Sequence, residues 1–242
     1  MLGFVLLGVG SGSTGIGDAL QNAFNFGGSG GTSISSLQSK VAKNPNSAAD
    51  WRALATAYEQ KQRTSDAVTA LEHLTALHPK DTNALGELAS QYSALATTYN
   101  NDYTAAETAA QVAVPGNSFL PPSTTPLGRA FQNPNALGDP LAAAVTSGAN
   151  ARVSAAYSNL QTTAAKAEAA YQKLAALSPD DATLQIQLGQ AAQTANDSAT
   201  ALLAYRRFLK LAPNDPLAPQ VRRVITALRQ AAAAQAATQA SG

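Results

Sequence analysis

Few residues in this chain could do chemistry, and they are scattered. The two imidazoles, His73 and His78, stand five residues apart, so on a helix they fall on different faces and cannot grip one metal ion together. A solvent-facing or interfacial helix position suits both better. The acidic pair Asp180-Asp181 follows Pro179, and an acid in such a turn reads as the cap of the next helix rather than as a general acid–base pair. Absence of Cys excludes a thiol nucleophile, a Cys-ligated zinc or iron–sulfur site and a disulfide framework. There is no phosphate loop, no G-x-S-x-G elbow and no H-E-x-x-H. GVGSGSTG is glycine-rich, but it follows no strand of an α/β unit and carries no Lys, so it reads as a linker. The expectation is a non-enzyme with no metal and no other cofactor.

Charge narrows the partners. Sixteen basic residues against 15 acidic ones leave a net +1, which argues against a nucleic-acid binder. One local excess stands out: Arg206, Arg207, Lys210, Arg222, Arg223 and Arg229 against Asp215. It reads either as a patch for an anionic partner or lipid, or as the solvated face of two amphipathic helices, the second being preferred.

Chemistry this sparse shifts attention to the elements. Ala fills 53 of 242 positions while β-branched and aromatic residues are few, so the chain is expected to be helical and not all-β. The length allows one or two domains with a real core. Ten of the 17 Gly lie in the first 31 residues, which open with the apolar run MLGFVLLGVG. A bilayer span needs about 20 apolar residues, and a secretory signal needs a basic start that is missing here. Residues 1–34 therefore read as the tail of a membrane anchor that begins upstream of Met1, plus a flexible Gly/Ser linker. The alternative is a slightly greasy, irregular terminus.

From residue 35 the pattern is helical, with a short helix at Ser36 to Lys43 ended by Asn44-Pro45. Trp51, Leu54, Ala55 and Tyr58 precede Ala67, Leu71, Leu74 and Pro79, and a shift of 34 lands on Leu85, Leu88, Ala89 and Tyr92. The spacing returns in Leu188, Gly189, Ala201, Tyr205, Phe208 and Pro213, and in Ala167, Tyr171, Leu174 and Pro179. These residues resemble the tetratricopeptide repeat, W-x2-L-G-x2-Y, then A-x3-F, then P. Large residues on helix A and helix B would meet over the small ones (Ala55, Ala89, Gly189; Ala67, Ala167, Ala201), and each Pro would stop helix B.

The second repeat is split. Ala67 to Ala167 and Pro79 to Pro179 are 100 apart, so beyond one 34-residue period some 66 residues are inserted between Tyr92 and Ala167. The repeats fall at about 48–81, 82–98 with 164–181, and 182–215. The insertion, about 99–163, contains the Pro-rich loop 115–148, which holds six of the 12 Pro. Its flanks lack breakers, which favours an antiparallel hairpin placing Leu95, Tyr99, Tyr103 and Ala106 opposite Val153, Tyr157, Leu160 and Ala164. Two degenerate repeats, with a capping box at Thr104 to Glu107, are the rival reading. Val221, Val224, Ile225 and Leu228 form the stripe of a capping helix, and 235–242 is expected to be a disordered tail. The fold expected is an all-α, tetratricopeptide-like solenoid of about three helix pairs over 35–234, with the hairpin and the cap.

The resemblance implies a protein or extended-peptide partner held on the concave face of the A helices. Mapped by spacing, that face comprises Arg52, Thr56 and Glu59, then Asn83, Ser90 and Ser93, then Thr183, Gln190 and Gln193. These are mostly small and polar, able to bond a peptide backbone or simply to be solvated. A carboxylate clamp of Lys, Asn and Arg is not expected, because Thr56, Glu87, Thr183 and Gln187 occupy the other slots beside Arg52. The expected role is a bacterial, membrane-tethered scaffold with a soluble repeat domain, or otherwise a cytoplasmic one. The alternative is an envelope assembly factor holding client chains with the hairpin and its Pro-rich tip.

Overall fold

Alanine and well-placed caps shape most of the helices. The computed structural model describes residues 33–112, 124–126 and 140–240. The chain divides into two units, Met1–Ser33 and Ile34–Gly242, and only the second is treated below. The anchor and linker readings of the N-terminus lie outside the described residues, as does most of the Pro-rich stretch.

Eight helices are described: α1 Ile34–Lys43, α2 Ala48–Gln60, α3 Thr64–Leu77, α4 Thr82–Val112, α5 Pro140–Leu177, α6 Ala182–Thr194, α7 Ser198–Leu211 and α8 Ala218–Ala240. Ser47 accepts the amide of Asp50 at the start of α2, Asp181 those of Thr183 and Leu184 at α6, and Asp197 that of Thr200 at α7. Asp81 accepts the amide of Ala84 on α4. These side chains satisfy amides that a helix start leaves without partners.

Repeats one and three are the pairs α2–α3 and α6–α7. In each, the turn passes through a left-handed residue, Gln62 at φ 56° and Asn196 at φ 62°. The two positions are equivalent, 134 residues apart like Ala67 and Ala201. One period after Gln62 stands Ala96, and there the chain does not turn. The local sequence Ser93-Ala94-Leu95-Ala96-Thr97 carries neither a residue suited to positive φ nor a capping acid, and α4 runs on to Val112.

α5 returns beside α4 as the second strand of an antiparallel helical hairpin. A Cβ on Gly86 would sit 3.7 Å from Leu174. The Lys166 ammonium lies 5.5 Å from the centre of the Tyr92 ring, and the Tyr103 and Tyr157 rings are 5.5 Å apart. Partner numbers fall as those on α4 rise, so the hairpin replaces the short turn, and no helix start interrupts it at Thr104. Ala96, Leu160 and Ala164 are buried at the root of this arm.

Two boundaries differ from the sequence reading. α5 begins at Pro140, not after residue 148, because proline's missing N–H costs nothing at a first helical position and Leu-Ala-Ala-Ala follows it. α8 reaches Ala240, so the tail expected to be disordered from 235 is helical up to there. Its Ala-rich sequence has high intrinsic propensity.

Leu54, Ala55, Tyr58, Ala67, Leu88, Ala89, Tyr92, Ala167, Tyr171, Leu188, Gly189, Ala201, Tyr205 and Phe208 are all buried. Trp51 is half-buried, donates from its indole to the Pro45 carbonyl at 2.8 Å and stacks on His73 with ring centroids 4.2 Å apart. Leu37 and Val41 of α1 cover the first repeat, and Gln38 donates to the Tyr58 hydroxyl at 2.8 Å. Val221 and Ile225 of α8 close the other end over Tyr205 and Phe208.

Polar contacts fasten the split repeat to its neighbours. Tyr92 and Lys166 both donate to Glu72, joining α4 and α5 to α3. Burial alone would raise the Glu72 pKa, but these two donors bring it below the usual value. On the other side, Glu168 of α5 is only 8% exposed and meets Asp197, the cap of α7. Burial first, and Asp197 second, push Glu168 up. Asp197 is held down by the Thr200 amide and hydroxyl and by its bond from Glu168. Gln172 donates to Glu168 at 2.7 Å. The Glu168–Asp197 contact thus links α5 to α7.

Two outcomes follow. At Gly189 an added Cβ would lie 2.5 Å from the Tyr205 ring, which is 1% exposed and cannot swing away. Gly189→Ala is therefore expected to lower unfolding stability in urea by about 1–2 kcal/mol, overpacking outweighing the gain in helix propensity. Because the Glu168 pKa is raised, the stabilisation from its proton is complete below the unfolded-state value and fades as pH climbs through the folded one. Glu168→Gln keeps a permanent donor, so melting curves from about pH 4 to pH 8 should converge at the acid end and favour the variant at the alkaline end.

Candidate partner-binding groove

The first two A helices, α2 and α4, lie side by side, joined through charged and amide side chains. Arg52 on α2 donates to Glu87 of α4 at 2.7 Å and to Asp81 at 3.0 Å. Seven residues along α2, Glu59 accepts from Gln91 of α4 at 2.8 Å. Asp81 therefore does two jobs, capping α4 and holding the guanidinium.

The electrostatics of this floor are lopsided. Burial raises Glu59, and Glu87 adds to it by repulsion. Burial also raises Glu87, with Arg52 opposing. Burial would raise Asp81 too, but the Ala84 amide and Arg52 outweigh it and hold Asp81 below the usual carboxylate range. Arg52 is thus committed to two carboxylates and offers no free positive charge to an anion.

The nine residues mapped to the groove separate into groups. Arg52 and Glu59 are in the α2–α4 network, and the Thr56 hydroxyl donates back to the Arg52 carbonyl at 3.0 Å. Asn83 and Ser90 on α4 are exposed. Ser93 is turned inward, its hydroxyl donating to the Ala89 carbonyl at 2.9 Å and lying within bonding reach of the buried Tyr171 hydroxyl. On α6, Thr183 is exposed and its amide is bound by Asp181. Gln190 is half-buried, and Gln193 accepts from the Tyr205 hydroxyl. Ser93 and Gln193 are therefore engaged with core tyrosines.

Glu87, Gln91 and Asp81 complete the floor without having been counted in it. Their signal was present: Arg52 to Glu87 is 35 residues and Glu59 to Gln91 is 32, both close to one repeat period, so the pairs sit at matching heights on adjacent A helices. Of the imidazoles, His73 is used in the Trp51 stack and His78 caps the end of α3. Among the described residues there is no group of three or more His, Cys, Asp or Glu that could hold a metal ion.

Residues 48–90 match the family model of the tetratricopeptide repeat. The match spans α2, α3 and the first part of α4, the elements that carry the Arg52 network. Residues 48–90 thus resemble a tetratricopeptide repeat, and the described residues around them form an all-helical solenoid of that kind. Repeats of this kind generally bind protein partners and are typically non-catalytic, so the chain is, in general terms, a protein-interaction scaffold. No curated protein matches the chain. Among the described residues no helix is long and apolar enough to cross a membrane.

Removing the guanidinium leaves two half-buried carboxylates facing each other. Arg52→Ala is expected to cost about 1–2 kcal/mol near neutral pH. The loss should shrink only in more acidic solution, toward about pH 3, because the stabilisation held in the lowered Asp81 is present above its unfolded pKa and disappears as pH falls through the folded one. Urea unfolding at the two pH values measures both.

Proposed function

We propose that this chain is a membrane-tethered bacterial scaffold that holds a protein or extended peptide on the face formed by α2, α4 and α6. The observation that supports the reading most directly is the pairing of α2 with α4 through Arg52–Glu87 and Glu59–Gln91, which builds a fixed polar floor and leaves Asn83 and Ser90 exposed beside it. Exposed amides and hydroxyls can bond a peptide backbone without selecting for an acidic terminus, and the neutralised Arg52 fits a ligand that does not depend on a carboxylate clamp. In this reading residues 1–34 belong to the tether, their apolar run MLGFVLLGVG as part of an anchor and the Gly/Ser stretch as the flexible lead. Thr56, Thr183 and Gln190 are the other contact residues in this reading.

A second reading rests on the arm. α4 and α5 continue beyond the repeat as two helices with a largely uncharged surface, which suits an envelope assembly factor that cradles a client chain along the hairpin. The two readings separate cleanly. Asn83→Arg combined with Ser90→Arg should weaken capture of a groove partner by about tenfold or more, with the melting temperature unchanged. Replacing residues 97–160 by the Asn-Asp turn of repeat three should leave that capture intact. If the arm deletion abolishes capture and the double Arg variant does not, the arm is the binding element and the groove reading fails.

A further inference from the structure

Helix α7 is rotated so that Ala201, Ala204, Tyr205 and Phe208 are buried. That rotation puts Leu203, Arg206, Arg207 and Lys210 together on the opposite face, at the i, i+3, i+4 and i+7 positions that adjoin on a helix. Leu203 is 66% exposed, an uncovered apolar side chain ringed by three bases. Arg207 reaches back to the Pro179 carbonyl at 2.9 Å, two residues past the exposed Leu177. Its charge meets only the outlying Asp180 at 3.4 Å. Among the described residues, none of the ion pairs engages Arg206, Lys210, Arg223 or Arg229.

We propose that the outer face of α7, carrying Leu203, Arg206, Arg207 and Lys210, docks on an anionic phospholipid surface. From residue 198 onward six bases oppose Asp215 alone, so the end of the molecule carries a positive field matched to acidic headgroups. A ridge of one helix bearing a projecting leucine has no concavity to hold a peptide, whereas a fluid headgroup layer conforms around it. Arg and Lys stems lie along the interface while Leu203 enters the acyl boundary. Because the opposite face of α7 is locked into the core, the surface is presented rigidly. The contact is independent of the α2–α4 groove and of the tether.

The test uses the full chain with two vesicle populations, one of phosphatidylcholine alone and one containing about a third phosphatidylglycerol. The readout is the difference in bound fraction between them, which cancels any contribution of the apolar first residues to neutral lipid. Each base near such a surface is worth about a fivefold gain. The wild-type chain should therefore favour the anionic vesicles by about tenfold or more, and the preference should collapse at high salt. Arg206→Glu with Lys210→Glu should abolish it, and Leu203→Ser should reduce it several-fold, all with unchanged melting curves. Equal binding of the wild-type chain to both populations would overturn the proposal. So would a preference that survives the double charge reversal. If the wild-type chain ignores anionic vesicles but binds polyglutamate through Arg206 and Lys210, the surface serves an acidic protein and the lipid assignment is wrong.

Discussion

The structure depends on helices approaching closely where one partner has almost no side chain. Gly189 lies directly beneath the Tyr205 ring, with no room for a methyl group, and Ala55 and Ala89 occupy the same position in the other two repeats with at most 1% exposure. This contact needs a small residue on helix A and a large one on helix B, but it places little demand on the connection between them. Loop-closure cost grows only with the logarithm of loop length. A repeat can therefore be completed by a helix that arrives some 66 residues late, as α5 does when Tyr171 and Ala167 take the places that Leu71 and Ala67 hold in repeat one.

What decides whether helix A turns or continues is a handful of residues at its end. Gln62 and Asn196 accept positive φ, and two residues later Thr64 and Ser198 begin the next helix. At the matching place repeat two has Ala96 in an unbroken run of helix formers, and the arm grows from it. The Glu72–Tyr92–Lys166 cluster and the contact of Glu168 with Asp197 then fix the returning helix to repeat one and to repeat three. The interruption is long in sequence but is bridged on both sides by buried or half-buried polar contacts.

Much of this was legible in residue spacing, because the repeat constrains types at fixed intervals. Trp51 to Pro79 and its shifted copies reveal the A/B pairs, and the 100-residue offset of Ala167, Tyr171 and Pro179 locates the insertion. The charged network was harder to read. Arg52 finds Glu87 and Asp81 through side-chain conformation as well as period, so a residue mapped to the groove is held in two ion pairs. Glu168, a charged residue type, is buried against Asp197, and no periodicity marks it. Pro140 was read as part of the loop although it occupies the one helical position where proline is at home, and the hydrogen bonding of Ser93 and Gln193 with core tyrosines depends on side-chain conformation that spacing does not give.

The claim on which the rest turns is that α4 and α5 are one antiparallel pair and not two separate degenerate repeats. The chain has no Cys, so labels can be placed without removing any. Spin labels at Thr104 and Ser158, both exposed, report the pairing directly by pulsed dipolar spectroscopy. Helices packed about 10 Å apart predict a single narrow distance below about 25 Å once the label arms are included. A broad distribution extending to about 50 Å, the scale of a helix of this length laid elsewhere, would contradict the split repeat.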